Sequence, residues 1–110
     1  MHEIGIVQSL IDQAARAAEG RAIRQVHVAL GDLSNVTPEA LEFYFDQLRA
    51  GTPAAEAGLT IRREASRACC QDCGGEFAAA ELSDACPACG SARLQILAGD
   101  RLILEAIDVE

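Results

Sequence analysis

The segment CCQDCGGEFAAAELSDACPACG brings all five cysteines of the chain into the twenty-one residues from Cys69 to Cys89. No other feature limits the fold as strongly. Cys70 with Cys73, and Cys86 with Cys89, form two C-x-x-C pairs separated by twelve residues. Each pair is expected to close into a tight knuckle that turns both sulfurs toward one metal ion. Gly74 and Gly90 follow the second cysteine of each pair, where a positive φ lets backbone amides turn toward the sulfurs. Pro87 stiffens the second knuckle. Four thiolates around one ion form a closed tetrahedral site, the arrangement of structural Zn²⁺, with no position left for a catalytic water. Cys69 is left over. It competes with Cys70 only through a C-x-x-x-C register that breaks the match between the pairs, and it is read as a free thiol.

Two thioredoxin-like redox pairs or unconnected thiols are the plain alternatives, and paired spacing with matched glycines weakens both. A tetrahedral set of four sulfurs also suits iron, and the pattern CxxCG…CPxCG is common to rubredoxins and zinc ribbons. A rubredoxin iron is expected to carry an aromatic shell, and only Phe77 lies inside this loop. Zinc is therefore the expected ion. So short a segment cannot bury enough core to fold unaided, and the metal should supply its folding energy.

The rest of the chain narrows the setting. Nine arginines, no lysine and seventeen acids give a net charge of −8, which argues against non-specific binding to nucleic acid or to an anionic membrane. No basic, apolar secretory start is visible, and no apolar run approaches a membrane span. A cytoplasmic location is expected, and in that reducing compartment cysteines serve as metal ligands or reactive thiols more often than as disulfides.

Before the cysteines, Ile4, Val7, Leu10, Ile11, Ala14, Ala15 and Ala18 recur at helical spacing after a short N-terminal lead, and Gly20 closes the run. The stretch AIRQVHVALGDL alternates, with Val26, Val28 and Leu30 on one face and Gln25 and His27 on the other, as in a half-buried strand. His27 is read as a structural or surface residue. Thr37-Pro38-Glu39 restarts a helix with an N-cap, a proline at the first helical position and an acid in the first turn. Its apolar stripe is Leu41, Tyr44, Phe45 and Leu48. Phe43 points the other way, either against a neighbouring loop or toward a partner. Gly51-Thr52-Pro53 ends this helix, and a strand follows at Leu59-Thr60-Ile61. After the cysteines come two β-type runs around a turn at Ala98-Gly99-Asp100. In the last run Leu102 and Leu104 have one parity and Ile107 and Val109 the other, so a bulge near Glu105–Ala106 would keep both pairs on the buried side. The order is helix, strand, helix, strand, cysteine insert, strand.

Met1-His2-Glu3, the stretch LEFYFDQLRAGTP at 41–53 and the cysteine set ending in Cys-Pro-Ala-Cys-Gly-Ser at 86–91 occur together. In this combination the chain closely resembles the HypA/HybF family of hydrogenase maturation factors over essentially its whole length. The resemblance implies an α+β fold: two helices packed on a small three-stranded sheet, with an inserted zinc-ribbon-like domain. It divides the chain into a nickel-binding domain, 1–66 plus 100–110, and a zinc domain over 67–99. It implies a nickel metallochaperone rather than an enzyme, delivering Ni²⁺ to the [NiFe] hydrogenase large-subunit precursor with the GTPase HypB, as monomer or homodimer. Residue by residue, it makes His2 a nickel ligand and Glu3 a residue that helps define the site, and it assigns zinc to Cys70, Cys73, Cys86 and Cys89.

Chemistry supports that reading of His2. The α-amino nitrogen of Met1, the backbone nitrogen of His2 and its imidazole can close consecutive chelate rings around one ion, and nitrogen-rich tetragonal coordination suits Ni²⁺ and Cu²⁺. Competing functions are a rubredoxin-like electron carrier, resting on cysteine spacing alone, and a zinc-ribbon interaction module for nucleic acid, disfavoured by charge. No nucleophile–base constellation points to an enzyme.

Overall fold

The computed structural model describes residues 2–78 and 85–110, the side chain of His2 excepted. Along the chain run α1 (His2–Ala18), β1 (Ile23–Gly31), α2 (Pro38–Leu48), β2 (Gly58–Glu64), β3 (Arg67–Cys70), β4 (Glu76–Phe77), β5 (Leu94–Ala98) and β6 (Leu102–Val109). They form two three-stranded sheets, with strand orders β2-β1-β6 and β4-β3-β5. The chain packs as two compact units. One comprises Met1–Ala29, Val36–Arg62 and Leu102–Glu110, and the other Leu30–Asn35 and Arg63–Arg101. The expected α+β architecture of two helices, a three-stranded sheet and a zinc-ribbon-like insert is the one observed. No helix among the described residues is long and apolar enough to cross a membrane.

In the first unit α1 packs against α2 and β6. Val7, Leu10, Ile11, Ala14 and Ala18 of α1, Leu41 and Phe45 of α2, and Val26 and Val28 of β1 are all buried and make up the core of this unit. Two residues depart from the helical stripe read from the sequence. Ile4 is 41 % exposed and Ala15 is half-buried. The helix also begins earlier than expected, at His2, without a separate lead. At its other end Glu19 and Gly20 both take positive φ, and the Arg21 N–H donates to the Ala18 carbonyl at 3.0 Å.

α2 starts as its sequence dictates. Thr37 is extended (φ −87, ψ 155) and its hydroxyl accepts from the Ala40 N–H at 3.1 Å, with Pro38 in the first turn. Such a cap is worth about 1 kcal/mol. Along β6, Leu102, Leu104, Ile107 and Val109 are the more buried positions, while the consecutive Glu105 and Ala106 are both exposed. The alternation therefore changes phase where the sequence parity changes. On β1, His27 Nε2 lies 2.9 Å from Asp108 of β6. Arg62 of β2 makes a two-pronged ion pair with Glu105 of β6, at 3.1 and 2.7 Å, reaching across the central strand.

The second unit is rooted in a close backbone crossing. The Gly31 N–H donates to the Arg101 carbonyl (3.1 Å), Leu33 to Gly99 (2.8 Å) and Asp32 to Glu64 (3.0 Å). A Cβ on Gly31 would stand 2.3 Å from the Gly99 carbonyl oxygen, and one on Gly99 would stand 2.6 Å from Ser66 Cα. Only glycine fits at either position. The two β-type runs flanking Gly99 are not a hairpin: β5 pairs with β3, and β6 takes its place in the other sheet.

Candidate metal centre

β3 delivers the first knuckle. It pairs antiparallel with β4 (Ala68 opposite Phe77, Cys69 opposite Glu76) and with β5 (Cys69 opposite Gln95, Cys70 opposite Leu94). At its end the Cys70 N–H donates to the Gly75 carbonyl, and the Gly74 N–H returns to the Cys70 carbonyl, both at 2.8 Å. The second knuckle repeats this pattern: the Cys86 N–H donates to Ser91 and the Gly90 N–H to Cys86, again at 2.8 Å. Gly74 and Gly90 have φ of 78° and 77°, in the left-handed region the matched glycine spacing anticipated.

These two turns bring four sulfurs to one place. Cys70 Sγ lies 3.5 Å from Cys89 Sγ, and Cys73 Sγ lies 3.6 Å from Cys86 Sγ. All four are within 4.8 Å of one another. A zinc ion with Zn–S bonds of about 2.3 Å has tetrahedral edges of about 3.8 Å, so the donors fit one such ion. Cys70 and Cys86 are buried, Cys73 and Cys89 exposed. Cys69 stands outside the group, its sulfur 3.7 Å from the Cys70 carbonyl and 3.9 Å from that of Gly74.

The knuckles are also fastened to each other. Asp72 bonds the Ser91 hydroxyl and receives an Arg93 guanidinium nitrogen at 2.8 Å, while the Gln71 N–H donates to the Arg93 carbonyl at 2.8 Å. The roles of Asp72, Ser91 and Arg93 carry no sequence signal, because their meeting depends on how the two knuckles face.

Thiol acidities show what the group needs. The Cys73 N–H is the main influence bringing Cys70 down to about 6, against the opposing effect of burial. Cys86 is likewise lowered, chiefly by the N–H groups of Cys89 and Ala88. At Cys89 the Ser91 N–H pulls downward, but the Cys70 thiol, burial and the other two sulfurs together push it up to about 12. Cys73 is raised too, with the Gly75 N–H outweighed by Cys86, Cys70 and burial. Two sulfurs can hold negative charge only while their neighbours keep protons. A divalent cation among the four removes that conflict, because a coordinating thiol gives up its proton.

The N-terminal donors stand differently. Met1 and the side chain of His2 lie outside the described residues, and Glu3, in the first turn of α1, is half-buried. Among the described residues the four cysteines are the one group of three or more His, Cys, Asp or Glu placed to share an ion.

Comparison with known proteins agrees in sequence and in fold. The profile of a family described as "Hydrogenase/urease nickel incorporation, metallochaperone, hypA" matches residues 1–109. The hydrogenase maturation factor HypA of Geobacter sulfurreducens is 40% identical, with both chains covered completely. That of Aquifex aeolicus is 39% identical over all of this chain and 98% of its own. The solution structure of the Ni metallochaperone HypA from Helicobacter pylori superposes with a TM-score of 0.72 at 24% identity, covering 97% of this chain and 96% of the other. That likeness shows the fold. A second solution structure of a HypA protein gives a TM-score of 0.70 at 26% identity, over 100% and 97% of the two chains.

Proposed function

The chain belongs to the HypA family, a non-enzymatic family of metallochaperones, and from that premise we propose that it carries Ni²⁺ into [NiFe] hydrogenase. The family match over 1–109 is the observation that supports this most. The cargo site is the amino terminus. The Met1 amine, the His2 backbone nitrogen and the His2 imidazole form its chelate, with Glu3 adding a donor or shaping the site. α1 begins at His2, and the first four N–H groups of a helix have no partner within it. The His2 amide is thus not committed to the helix ladder. Copper binds such a set more tightly by the Irving–Williams order, so selectivity comes from metal supply and from partners. Open, nitrogen-rich binding also permits release.

Cys70, Cys73, Cys86 and Cys89 hold Zn²⁺ as a resident structural ion, which supplies folding energy to residues 67–99. Residues 1–66 and 100–110 form the nickel domain. The working partners are the GTPase HypB and the hydrogenase large-subunit precursor, in the cytoplasm.

The test compares three zinc-loaded proteins: one with a free Met1 amine, one with Gly-Ser added ahead of Met1, and His2→Ala. The extension turns the amine into an amide without touching the core. Nickel titration should show strong binding only to the first. An extended protein that binds like the native one removes the amine as a ligand, and equal binding by all three places nickel elsewhere.

A further inference from the structure

Phe43 lies on the solvent side of α2 and is 58 % exposed, the most exposed large apolar side chain among the described residues. Its ring meets that of Tyr44 edge-on, with centroids 5.2 Å apart and planes at 77°. Tyr44 itself is half-buried, so the exposed ring has one aromatic neighbour seated on the helix. Acids surround it. Glu39 and Asp46 stand one turn to either side, and Glu42 follows the same face one turn before Asp46. All three are exposed, and neither Glu39 nor Glu42 has an ion-pair partner among the described residues.

Round the helix from this ring, on the stripe of Glu42, Phe45, Asp46 and Arg49, a recess of about 240 Å³ opens between α2 and the start of β2, where Ala57 and Gly58 add to its lining, and Asp46 lies between ring and recess. Arg49 is fixed at its edge. One of its nitrogens donates to the Ala57 carbonyl at 2.7 Å, another lies 3.3 Å from Asp46, and the guanidinium stacks 5.6 Å from the centre of the Phe45 ring. Arg49 offsets one carboxylate and leaves Glu42 unanswered. Two like charges at i and i+4 cost a helix stability, so Glu42 opposite Asp46 contributes nothing to the fold.

The geometry points to a docking surface on α2 for a different protein, one that presents an apolar pocket for Phe43 and inserts a lysine or arginine into the recess lined by Glu42 and Asp46. A desolvated aromatic anchor with a charged rim is the form that interface hot spots take. A second copy of this chain seated face to face is disfavoured, because a two-fold contact would set Glu39, Glu42 and Asp46 against their own counterparts. The inference deepens the delivery reading and rests on it for its candidate partners.

The test measures binding of the zinc-loaded chain to purified HypB and to the large-subunit precursor, for the native protein, Phe43→Ala and Glu42→Gln. Both positions are exposed, so circular dichroism and nickel titration should match the native protein. For at least one partner Phe43→Ala should weaken binding about tenfold or more. Glu42→Gln should weaken it less and flatten its dependence on salt. Native binding that neither substitution alters overturns the docking surface and leaves the delivery reading standing. A native chain that binds nickel but neither protein removes both. If sedimentation shows instead that Phe43→Ala abolishes self-association, the occupant is a second copy and the proposal falls.

Discussion

Adjacent residues of a strand point to opposite faces, and at Cys69 and Cys70 that alternation selects which sulfur reaches the second knuckle. Cys70 is buried against Cys89 at 3.5 Å, while Cys69 turns toward backbone carbonyls. Cys73→Ser or Cys86→Ser should therefore abolish zinc binding, and Cys69→Ser should leave one zinc per chain by elemental analysis. Loss of zinc from the Cys69 variant would mean the ligand set is misassigned. A second residue-scale consequence lies at Glu105, whose carboxyl is held below its ordinary value of 4.5, first by the hydrogen bond from Arg62. A carboxylate with a lowered pKa in the folded state contributes stability above that ordinary value and loses it as pH falls through and below it. Urea unfolding of native protein and Glu105→Gln should differ most at pH 6, the gap narrowing as the pH falls below 4.5. A gap that does not narrow at all as the pH falls would show that the pair acts through packing alone.

At the scale of elements, the turn between β5 and β6 is the least forgiving connection. Gly99 combines a φ of +82° with Ser66 Cα and the Ala65 carbonyl at 2.6 and 2.8 Å from where a Cβ would sit. Gly74 has nearly the same φ, +78°, and open space around it. Alanine at Gly74 should cost the backbone strain alone, about 1 kcal/mol. Alanine at Gly99 adds a clash with backbone that has nowhere to move, and should cost about 2 kcal/mol or more. Chemical unfolding of the two zinc-loaded variants checks the order, and equal losses would mean the crossing opens more easily than its distances indicate. The helices were legible beforehand through capping and apolar spacing, as Thr37-Pro38 and the Leu41–Phe45 stripe illustrate. β3 and β4 were not, because strands of four and two residues hold too little alternation to register.

Over the whole molecule, the second unit buries one large apolar side chain among its described residues, Leu30, beside Ala68, Cys70 and Cys86, whereas the first holds Val7, Leu10, Ile11, Leu41 and Phe45. Stripping zinc with a strong chelator should therefore unfold the cysteine unit and spare the helical one. Tyr44, the single tyrosine, lies on α2 in the helical unit, so its near-ultraviolet dichroism and the helix signal should survive while backbone amides of 67–78 lose protection from exchange. Collapse of the tyrosine signal together with zinc would show that the two units fold as one. The order of the helices and of the strands outside the cysteine insert, the two cysteine knuckles with their positive-φ glycines and the family itself were determined by sequence alone, because each depends on spacing within a few residues or on a short motif. Which strands pair was decided only in three dimensions. The runs on either side of Gly99 look like a hairpin, yet β5 joins β3 and β6 joins β1. The exposure of Ile4 and Phe43 was settled there too, since periodicity names the faces of a helix but not which of them another segment of chain arrives to cover.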